Sequence, residues 1–196
     1  MSERAAIAVE PHELELQQRF VTGDGEAMGI LVRPHMDVLY TLALRLMGSP
    51  SDAEDCVQDA LVLALRKRHQ FTVGRPLRPW LLRIVRNQCL SRLRSPWWRR
   101  MIGLGIDPPA IHDTAYVSEA LDRDARVRRV LMTLPQNYRE ALALFHLEDM
   151  TYAEMSAITG VQVPALKQRV RRGSALLRDK MAKLYPEFVP ERRGDR

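Results

Sequence analysis

Two stretches determine the architecture of this chain: SDAEDCVQDALVLALRKRHQF, residues 51–71, and RPWLLRIVRNQCLSRLRSPWWRR, residues 78–100. Between Asp59 and Asp107 the chain carries 11 Lys and Arg residues and no Asp or Glu. Acidic residues instead gather at the start of the first stretch. A soluble domain that separates its charges this sharply along the sequence presents the two signs to different partners. We therefore expect the acidic part to contact a protein and the basic part to contact DNA.

The composition is that of a globular protein with two separate basic regions. Its 196 residues are 46% hydrophobic and 28% charged, which suits one domain or two small ones. The net charge of +6 divides into −7 for residues 1–59, +11 for 60–106, −4 for 107–160 and +6 for 161–196. Two basic blocks with an acidic block between them indicate two contact regions on a polyanion.

The sequence offers little for catalysis, metal binding or export. Its five His residues lack metal-ligand spacing and no GxSxG, Walker or HExxH pattern is present, so we expect no enzyme, no metal site and no cofactor. Cys56 and Cys89 form no CxxC pair and are predicted to be small buried thiols. We find no signal peptide and no run of the roughly 20 apolar residues that a membrane span needs. We expect a cytoplasmic protein.

Apolar residues recur with helical spacing and show no alternating strand pattern, which predicts an all-α fold in two parts. The first helical pattern starts at Pro11. The second runs from about Glu26 to Met47, and Pro34 kinks or splits it. Gly48-Ser49-Pro50 then ends that element.

The acidic helix that follows has two faces. Ser51 and Glu54 predict a capping box at its start. Asp52, Asp55 and Asp59 gather on one face, and the helix macrodipole accounts for the first two but fades before Asp59. We therefore interpret these acids as a protein-contact stripe. The opposite, apolar face consists of Val57, Ala60, Leu61, Ala64 and Leu65.

The basic stretch begins with a loop from His69 to Pro79, and Pro79 fits the first position of the next helix. In that helix Arg83, Asn87 and Arg94 line up on one side. Guanidinium and amide groups in one stripe suit phosphate and base-edge contacts, whereas a merely solvated arginine face normally contains acids as well. We therefore favour DNA contact. The opposite face consists of Leu81, Ile84, Val85 and Gln88.

Beyond this helix the sequence is less decisive. Trp97 and Trp98 either stack on bases or cover the core, and both interpretations stay open. Residues 101–117 are predicted to be a flexible linker because of their Gly, Pro and Asp content. Helical spacing resumes at Ser118, and another helix follows Pro135.

Residues 151–172, TYAEMSAITGVQVPALKQRVRR, predict a helix-turn-helix. Thr151 and Glu154 form a capping box, Gly160 supplies a left-handed turn residue, and Pro164 fits the start of the second helix. This second helix has the make-up of a recognition helix, whose outward residues reach base edges while flanking cations approach phosphates. The outward residues are Gln168, Arg171, Arg172 and Ala175, and the flanking cations are Lys167, Arg169 and Arg178.

Taken together, these residues resemble a bacterial RNA polymerase sigma factor of the extracytoplasmic-function (ECF) group of the sigma-70 family. The resemblance covers most of residues 20–181 and implies two small helical domains, residues 11–100 and 118–184, joined by the linker 101–117. The N-terminal match lies in Gly23-Asp24…Ala27, Asp52-Ala53-Glu54-Asp55…Gln58-Asp59 and Trp80-Leu81…Arg94. The C-terminal match lies in Leu134-Pro135…Arg139-Glu140, Tyr152-Ala153-Glu154-Met155, Gly160-Val161 and Lys167…Arg169…Arg172.

The resemblance implies a role for each region. The acidic helix would dock on the clamp helices of the polymerase's largest subunit, and the loop 69–78 would capture a flipped base of the −10 element. The second helix of the helix-turn-helix would read the −35 element in duplex DNA. The polymerase flap and a restraining anti-sigma factor are further implied partners. The implied polymerase-binding residues are Asp52, Asp55, Gln58 and Asp59. The implied −10 residues are Phe71, Arg75, Arg78, Trp80, Arg83, Arg86, Asn87 and Arg94, and the implied −35 residues are Lys167, Gln168, Arg169, Arg171 and Arg172.

Some positions depart from the family pattern. Ala165 and Gln168 stand where Thr and Ser are usual, and Gly173 stands where Ala is usual. Because Gln can pair bidentately with adenine, the usual −35 sequence is in question. The alternative function is an autonomous helix-turn-helix regulator that binds duplex DNA without polymerase. The acidic stripe and the separate basic helix disfavour it, since such a regulator needs neither.

Overall fold

The computed structural model describes residues 9–95, 119–147 and 150–188. These residues form helices and contain no strand, which confirms the predicted all-α fold. No helix within the described ranges is long and apolar enough to cross a membrane. The predicted linker 101–117, the pair Trp97-Trp98 and the helix start at Ser118 lie outside the described residues.

Five helices lie within residues 9–95. Pro34 splits the second predicted helix, because a 3₁₀ turn over Arg33–His35 separates two α-helices. Gly48 takes a left-handed φ of 80° and ends the helix before it, as predicted. The helices are α1 (Pro11–Thr22), α2 (Gly25–Val32), α3 (Met36–Met47), α4 (Pro50–Arg66) and α5 (Leu77–Arg94).

Two predicted helix starts are wrong. Helix α4 begins at Pro50, and its N-cap is Ser49, whose hydroxyl accepts a hydrogen bond from the Asp52 amide at 3.4 Å. The predicted Ser51–Glu54 capping box therefore does not form: Pro50 takes the favoured first position and moves the cap to the residue before it. Helix α5 begins at Leu77, so that Pro79 is its third residue, still within the first turn where its missing N–H has no intrahelical partner.

Helix α3 forms the centre of the N-terminal half and packs against α4 and α5. Its Leu39, Leu42 and Leu46 side chains are fully buried. Cys56 of α4 and Cys89 of α5 are buried free thiols in contact with each other, which confirms the predicted buried state. Contact with Cys56 and burial raise the pKa of the Cys89 thiol well above its ordinary value.

Four helices lie within the described residues from 119 onward. The Thr151 hydroxyl accepts from the Glu154 amide at 3.2 Å, and the Glu154 carboxylate accepts from the Thr151 amide at 2.8 Å, which confirms the predicted capping box. Gly160 takes the predicted left-handed φ of 74°, and Pro164 is the second residue of the last helix. The helices are α6 (Glu119–Met132), α7 (Gln136–Phe145), α8 (Tyr152–Thr159) and α9 (Val163–Leu184).

Gly173 allows α9 to lie close to α7. A Cβ atom added at this position would lie 3.2 Å from Leu142 Cγ and 3.2 Å from Tyr138 Cβ. These distances are tighter than ordinary packing contacts, so the glycine accompanies an unusually close approach of the two helices. Gly173 stands where the family resemblance leads us to expect Ala, and close packing against α7 accompanies this difference.

The two halves of the chain pack on each other. Helices α3 and α5 contact α6, α7 and α8, and a hydrophobic cluster runs through both halves. At Gly48 an added Cβ would lie 2.6 Å from Met132 Cγ, so the end of α3 closely approaches the end of α6. Arg139 is half-buried at this boundary, and desolvation of its guanidinium lowers its pKa to about 10.

Candidate nucleic-acid interface

Helix α9 has an inward apolar face and an outward polar face. Leu166, Val170 and Gly173 are buried against the rest of the C-terminal half, whereas Arg171 and Arg172 are exposed. Across the described ranges, neither arginine pairs with a carboxylate. Two guanidinium groups, ten donors in all, are therefore directed at solvent, ready for phosphates or base edges. Gln168 and Ala175 are exposed on the same face.

Lys167 ties the two helices of the helix-turn-helix together. Its ammonium lies 5.7 Å from the centre of the Tyr152 ring on α8, within cation–π range. The Tyr152 ring in turn lies 5.6 Å from the Phe145 ring of α7. The cation at the start of the recognition helix is thus held by an aromatic pair, while Arg169 is half-buried two residues further along the helix.

Helix α5 places three of its predicted DNA-contacting residues on one exposed face. Arg83, Asn87 and Arg94 are all exposed, as their spacing predicts. Arg86 lies differently: it is only 18% exposed, and its Nε atom donates to Glu140 Oε1 of α7 at 2.7 Å. The structure therefore brings Arg83, Asn87 and Arg94 together and pairs Arg86 with the other half of the chain.

The loop before α5 is anchored by an aromatic cluster. The Phe71 ring lies 5.3 Å from the Trp80 ring and 6.1 Å from the Phe20 ring, and Phe20 and Trp80 are 6.0 Å apart. Phe71 is only 6% exposed, so its ring is a wall of the core in this conformation and does not reach the surface. Trp80 is half-buried beside it.

Gln17 of α1 fixes the same loop and was missed by the sequence interpretation. Its side chain is fully buried, accepts a hydrogen bond from Gly74 N at 2.8 Å and donates to Arg75 O at 3.2 Å. Gly74 itself takes a left-handed φ of 83°. The sequence contains one signal for this role: Gln17 lies on the buried face of an amphipathic helix, where a polar side chain needs a hydrogen-bond partner. The loop backbone is therefore held in one shape, with the Arg75 side chain exposed. Arg78, which was assigned to the loop, is the second residue of α5 and is half-buried.

The acidic stripe of α4 lies along the edge of α5. Arg92 Nη2 lies 3.3 Å from Asp52 Oδ1 and 3.0 Å from Asp55 Oδ2. Further along the two helices, Gln88 Nε2 donates to Asp59 Oδ2 at 3.3 Å. Asp55 and Asp59 nevertheless remain exposed, as does the neighbouring Gln58, so the stripe is both a helix–helix contact and a surface. The role of Arg92 was missed, because its partners lie far away in the sequence.

A capped helix-turn-helix with exposed outward arginines, and a second basic helix beside an acidic one, are the arrangement of a DNA-binding protein. The sequence matches the family Sigma-70 region 2 over residues 31–99 and the family Sigma-70, region 4 over residues 124–177. The first match contains α3, α4 and α5, and the second contains the helix-turn-helix.

Known relatives agree with these matches. The chain is 34% identical over 169 residues to the ECF RNA polymerase sigma factor SigE of Mycolicibacterium smegmatis, covering 83% of this chain and 65% of that relative. It is 33% identical over 168 residues to the ECF sigma factor SigM of Mycobacterium tuberculosis, covering 86% and 84%. Among solved structures, CnrH in complex with the cytosolic domain of CnrY superposes with a TM-score of 0.64 at 27% identity, covering 88% of this chain and 98% of that chain.

The chain therefore belongs to the ECF RNA polymerase sigma factors. Members of this family are non-enzymatic regulatory proteins that direct promoter-specific transcription initiation by RNA polymerase.

Proposed function

We propose that each half of this chain contacts one promoter element. Residues 11–100 bind core RNA polymerase and the opened −10 element, and residues 118–184 read the −35 element in duplex DNA. The observation that carries the proposal is the outward face of α9, where Gln168, Arg171 and Arg172 are exposed on a helix-turn-helix. Amide and guanidinium groups in this position hydrogen-bond to base edges in the major groove. The chain itself catalyses nothing; it selects the DNA at which polymerase starts.

The −10 contact is assigned to α5 and the loop before it. Arg83, Asn87 and Arg94 offer an exposed polar face, and Arg75 extends from a loop that Gln17 holds in shape. A positively charged surface with a fixed backbone suits the phosphates and splayed bases of a single strand. Because Phe71 is buried here, its ring contacts a base only if the loop rearranges.

Docking on polymerase is assigned to the exposed side of α4. Asp55, Gln58 and Asp59 lie on this side, with Asp52 half-buried beside Arg92. Acidic groups on a rigid helix suit a basic partner surface and favour rapid association. The polymerase clamp helices are the proposed partner of this stripe, and the flap is the proposed partner of the C-terminal domain.

In vitro transcription with core polymerase tests the proposal. Addition of the chain should produce a transcript from a promoter that core polymerase alone does not use. Asp59→Lys should reduce core binding, whereas Asp37→Lys, a charge reversal at an exposed carboxylate of α3 outside the proposed stripe, should leave core binding close to wild type. Equal effects of the two reversals would contradict the assignment of the stripe, and the absence of any transcript would contradict the function.

A regulator that binds duplex DNA without polymerase is the second candidate. One observation favours it: Arg171 and Arg172 are exposed in the same arrangement in which Arg86 is paired with Glu140, so the chain alone presents these groups to duplex DNA. A mobility-shift assay with the chain alone separates the two candidates. Sequence-specific binding at physiological salt with no polymerase-dependent transcript supports the regulator, and specific binding that requires core polymerase supports the sigma factor.

We also propose that an anti-sigma factor restrains this chain in the cytoplasm, where polymerase and promoters are found. The support is by similarity. The sigma factor RpoE of Bartonella quintana, solved in complex with the anti-sigma factor NepR, superposes with a TM-score of 0.60 at 28% identity, covering 79% of this chain and 95% of that chain. Co-purification of the chain with a partner that abolishes its transcript would test this proposal.

A further inference from the structure

One buried glutamine of α1 orders two successive residues of the loop before α5. Gln17 Oε1 accepts from Gly74 N at 2.8 Å, and Gln17 Nε2 donates to Arg75 O at 3.2 Å. The same Nε2 atom donates to Glu13 Oε1 at 3.0 Å, one turn earlier on α1. Because both N–H groups of the amide are used in this way, Glu13 keeps the amide oxygen directed at Gly74.

The loop residues that Gln17 contacts form a tight turn. Arg75 N donates to Thr72 O at 3.1 Å, which closes a four-residue turn with Gly74 in its third position. Gly74 takes a left-handed φ of 83°, as a type II turn requires at that position. The Gly74 N–H belongs to the central peptide of the turn, so its hydrogen bond to Gln17 favours one orientation of that peptide.

Arg75 is the exposed cation that the turn presents. Its N–H is bonded to Thr72 and its C=O to Gln17. The following Pro76 disfavours a helical backbone at Arg75. The Arg75 side chain therefore extends from a fixed backbone, while it is itself exposed. A donor group that is directed before its ligand arrives loses less entropy on binding and tolerates fewer ligand geometries.

Helix α1 supplies this restraint from outside the Sigma-70 region 2 match, which begins at residue 31. Leu14 Cδ1 lies 3.9 Å from the place that a Cβ atom on Gly74 would take, and the Phe20 ring belongs to the aromatic cluster that anchors the loop. Leu14, Gln17 and Phe20 are three residues apart and lie on one face of α1. This face is therefore the surface against which the loop packs.

We propose that Gln17 is a positioning residue for −10 recognition. It fixes the turn 72–75, so that the Arg75 guanidinium meets the −10 strand in one orientation and the factor discriminates strictly between −10 sequences. The inference rests on the −10 role proposed for this loop. Gln17 is fully buried and acts only through Arg75. A glutamine that served stability alone would instead affect transcription from every promoter to the same degree.

The test makes the same substitution at two adjacent positions of α1. Gln17→Leu removes both hydrogen bonds to the loop at nearly constant volume, whereas Gln18→Leu changes an exposed glutamine. Each full-length variant, with core polymerase, transcribes a library made from a promoter that the wild-type factor uses, with its −10 element randomised. Sequencing of the transcripts gives the enrichment of each base. Denaturant unfolding and core binding are measured for the same variants.

We expect Gln17→Leu to lower the enrichment of the preferred bases roughly fivefold at one or more −10 positions, the loss that about one misdirected hydrogen bond produces. Gln18→Leu should match the wild-type enrichment within about twofold. The inference is wrong if Gln17→Leu reduces transcripts from all −10 sequences equally, because Gln17 would then contribute to stability alone.

Gly74→Pro disturbs the same turn and leaves Gln17 in place. Proline fixes φ near −65° and removes the N–H that donates to Gln17, so the left-handed turn cannot form. Because Gly74 is exposed in a loop, this variant provides the measurement even if Gln17→Leu yields too little folded protein. It should lower enrichment at the same −10 positions as Gln17→Leu. A wild-type profile for Gly74→Pro would show that the shape of the turn does not matter and would overturn the inference.

Arg75→Ala separates the inference from the proposed function. It should lower enrichment at the same positions, and the double variant with Gln17→Leu should lose no more than Arg75→Ala alone, since one residue acts through the other. Additive losses would overturn positioning through Arg75 and leave the −10 role of the loop intact. A wild-type profile for Arg75→Ala would contradict the −10 role of Arg75 itself, and the inference would fail with it.

Discussion

The two basic helices of this chain, α5 and α9, use their arginines in opposite ways. On α9, Arg171 and Arg172 are exposed and pair with no carboxylate of the described residues. On α5, Arg86 is held by Glu140, and Arg92 lies between Asp52 and Asp55. Similar composition therefore hides different arrangements: α9 exposes Arg171 and Arg172 to solvent, whereas α5 uses two of its arginines in ion pairs within the fold.

This difference shows why a basic stretch does not by itself identify a nucleic-acid contact. An arginine whose donors are already satisfied contributes to association only after its partner leaves, and that step weakens the observed affinity. The distance to the nearest carboxylate, read together with burial, separates the two kinds of arginine. Substitutions on and around the two helices test this separation.

Arg171→Ala and Arg172→Ala on α9 should have the largest effect. Each is expected to weaken binding to a −35 duplex by about 1–3 kcal/mol if it reads a base. Fluorescence anisotropy against a duplex selected by the holoenzyme and a scrambled duplex measures this change in affinity. Arg169→Ala provides the comparison, since removal of a phosphate-binding cation should weaken binding to both duplexes equally and reduce the salt dependence. An equal weakening on both duplexes would make Arg171 and Arg172 phosphate contacts too.

The packing of α9 against α7 is tested by two Gly→Ala substitutions. They are expected to change the free energy of unfolding in opposite directions. Gly173→Ala should destabilise the chain by about 1 kcal/mol, because overpacking of about 1–3 kcal/mol exceeds the gain in helix propensity of about 1 kcal/mol. Its contact with Tyr138 Cβ cannot relax without moving the α7 backbone. Gly29→Ala in α2, where nothing lies within 4 Å of the new atom, should stabilise by about 0.5–1 kcal/mol. Denaturant unfolding measures both.

Arg92→Ala should cost less, about 0.5–1 kcal/mol of unfolding free energy, because its ion pairs with Asp52 and Asp55 are partly exposed to solvent. Arg94→Ala, two residues further along α5 and exposed, should leave the unfolding free energy within about 0.5 kcal/mol of wild type. If both substitutions leave the free energy of unfolding unchanged, the ion pairs of Arg92 do not stabilise the fold. Arg92 would then resemble Arg171 and Arg172, and the difference between α5 and α9 would rest on Arg86 alone.

Acid pH should have the smallest effect. Burial lowers the pKa of His35 and of His146, and nearby arginines, Arg78 and Arg45 respectively, lower each further. Below the ordinary His pKa of about 6.5 the unfolded chain therefore binds more protons than the folded chain, and stability falls as pH falls. Thermal unfolding between pH 7.5 and 5 should show this decrease. His35→Gln with His146→Gln should reduce it, and the exposed His69→Gln should not.

The parts of the fold that the sequence predicts correctly depend on neighbouring residues. The Thr151–Glu154 capping box, the left-handed Gly160 and the helix break at Pro34 each involve residues within a few positions of one another. Local rules also fail where two residues can each serve as the N-cap. At the start of α4, Ser49 caps the helix and Ser51 does not. Here the choice depends on where Pro50 sits in the first turn.

The candidate site is predictable only in part, for a related reason. Exposure of Arg83, Asn87 and Arg94 follows from helical spacing, whereas the pairing of Arg86 with Glu140 joins residues 54 positions apart. Gln17 reaches the amide of Gly74 across 57 positions. Periodicity assigns a residue to a face but carries no information on which distant element covers that face. The burial of Phe71 and the intramolecular pairs of α4 and α5 could therefore not be foreseen.

The division of α9 into two faces has a consequence for how this protein can diverge. Leu166, Val170 and Gly173 hold the helix in place, while Gln168 and Arg171 extend from it without contributing to its packing. Substitutions on the outward side can therefore accumulate without unfolding the chain. On the proposed −35 role of this side, a duplicated copy of the gene would acquire a new set of promoters by changing only a few codons. Selection for stability and selection for promoter preference act on different residues of one helix.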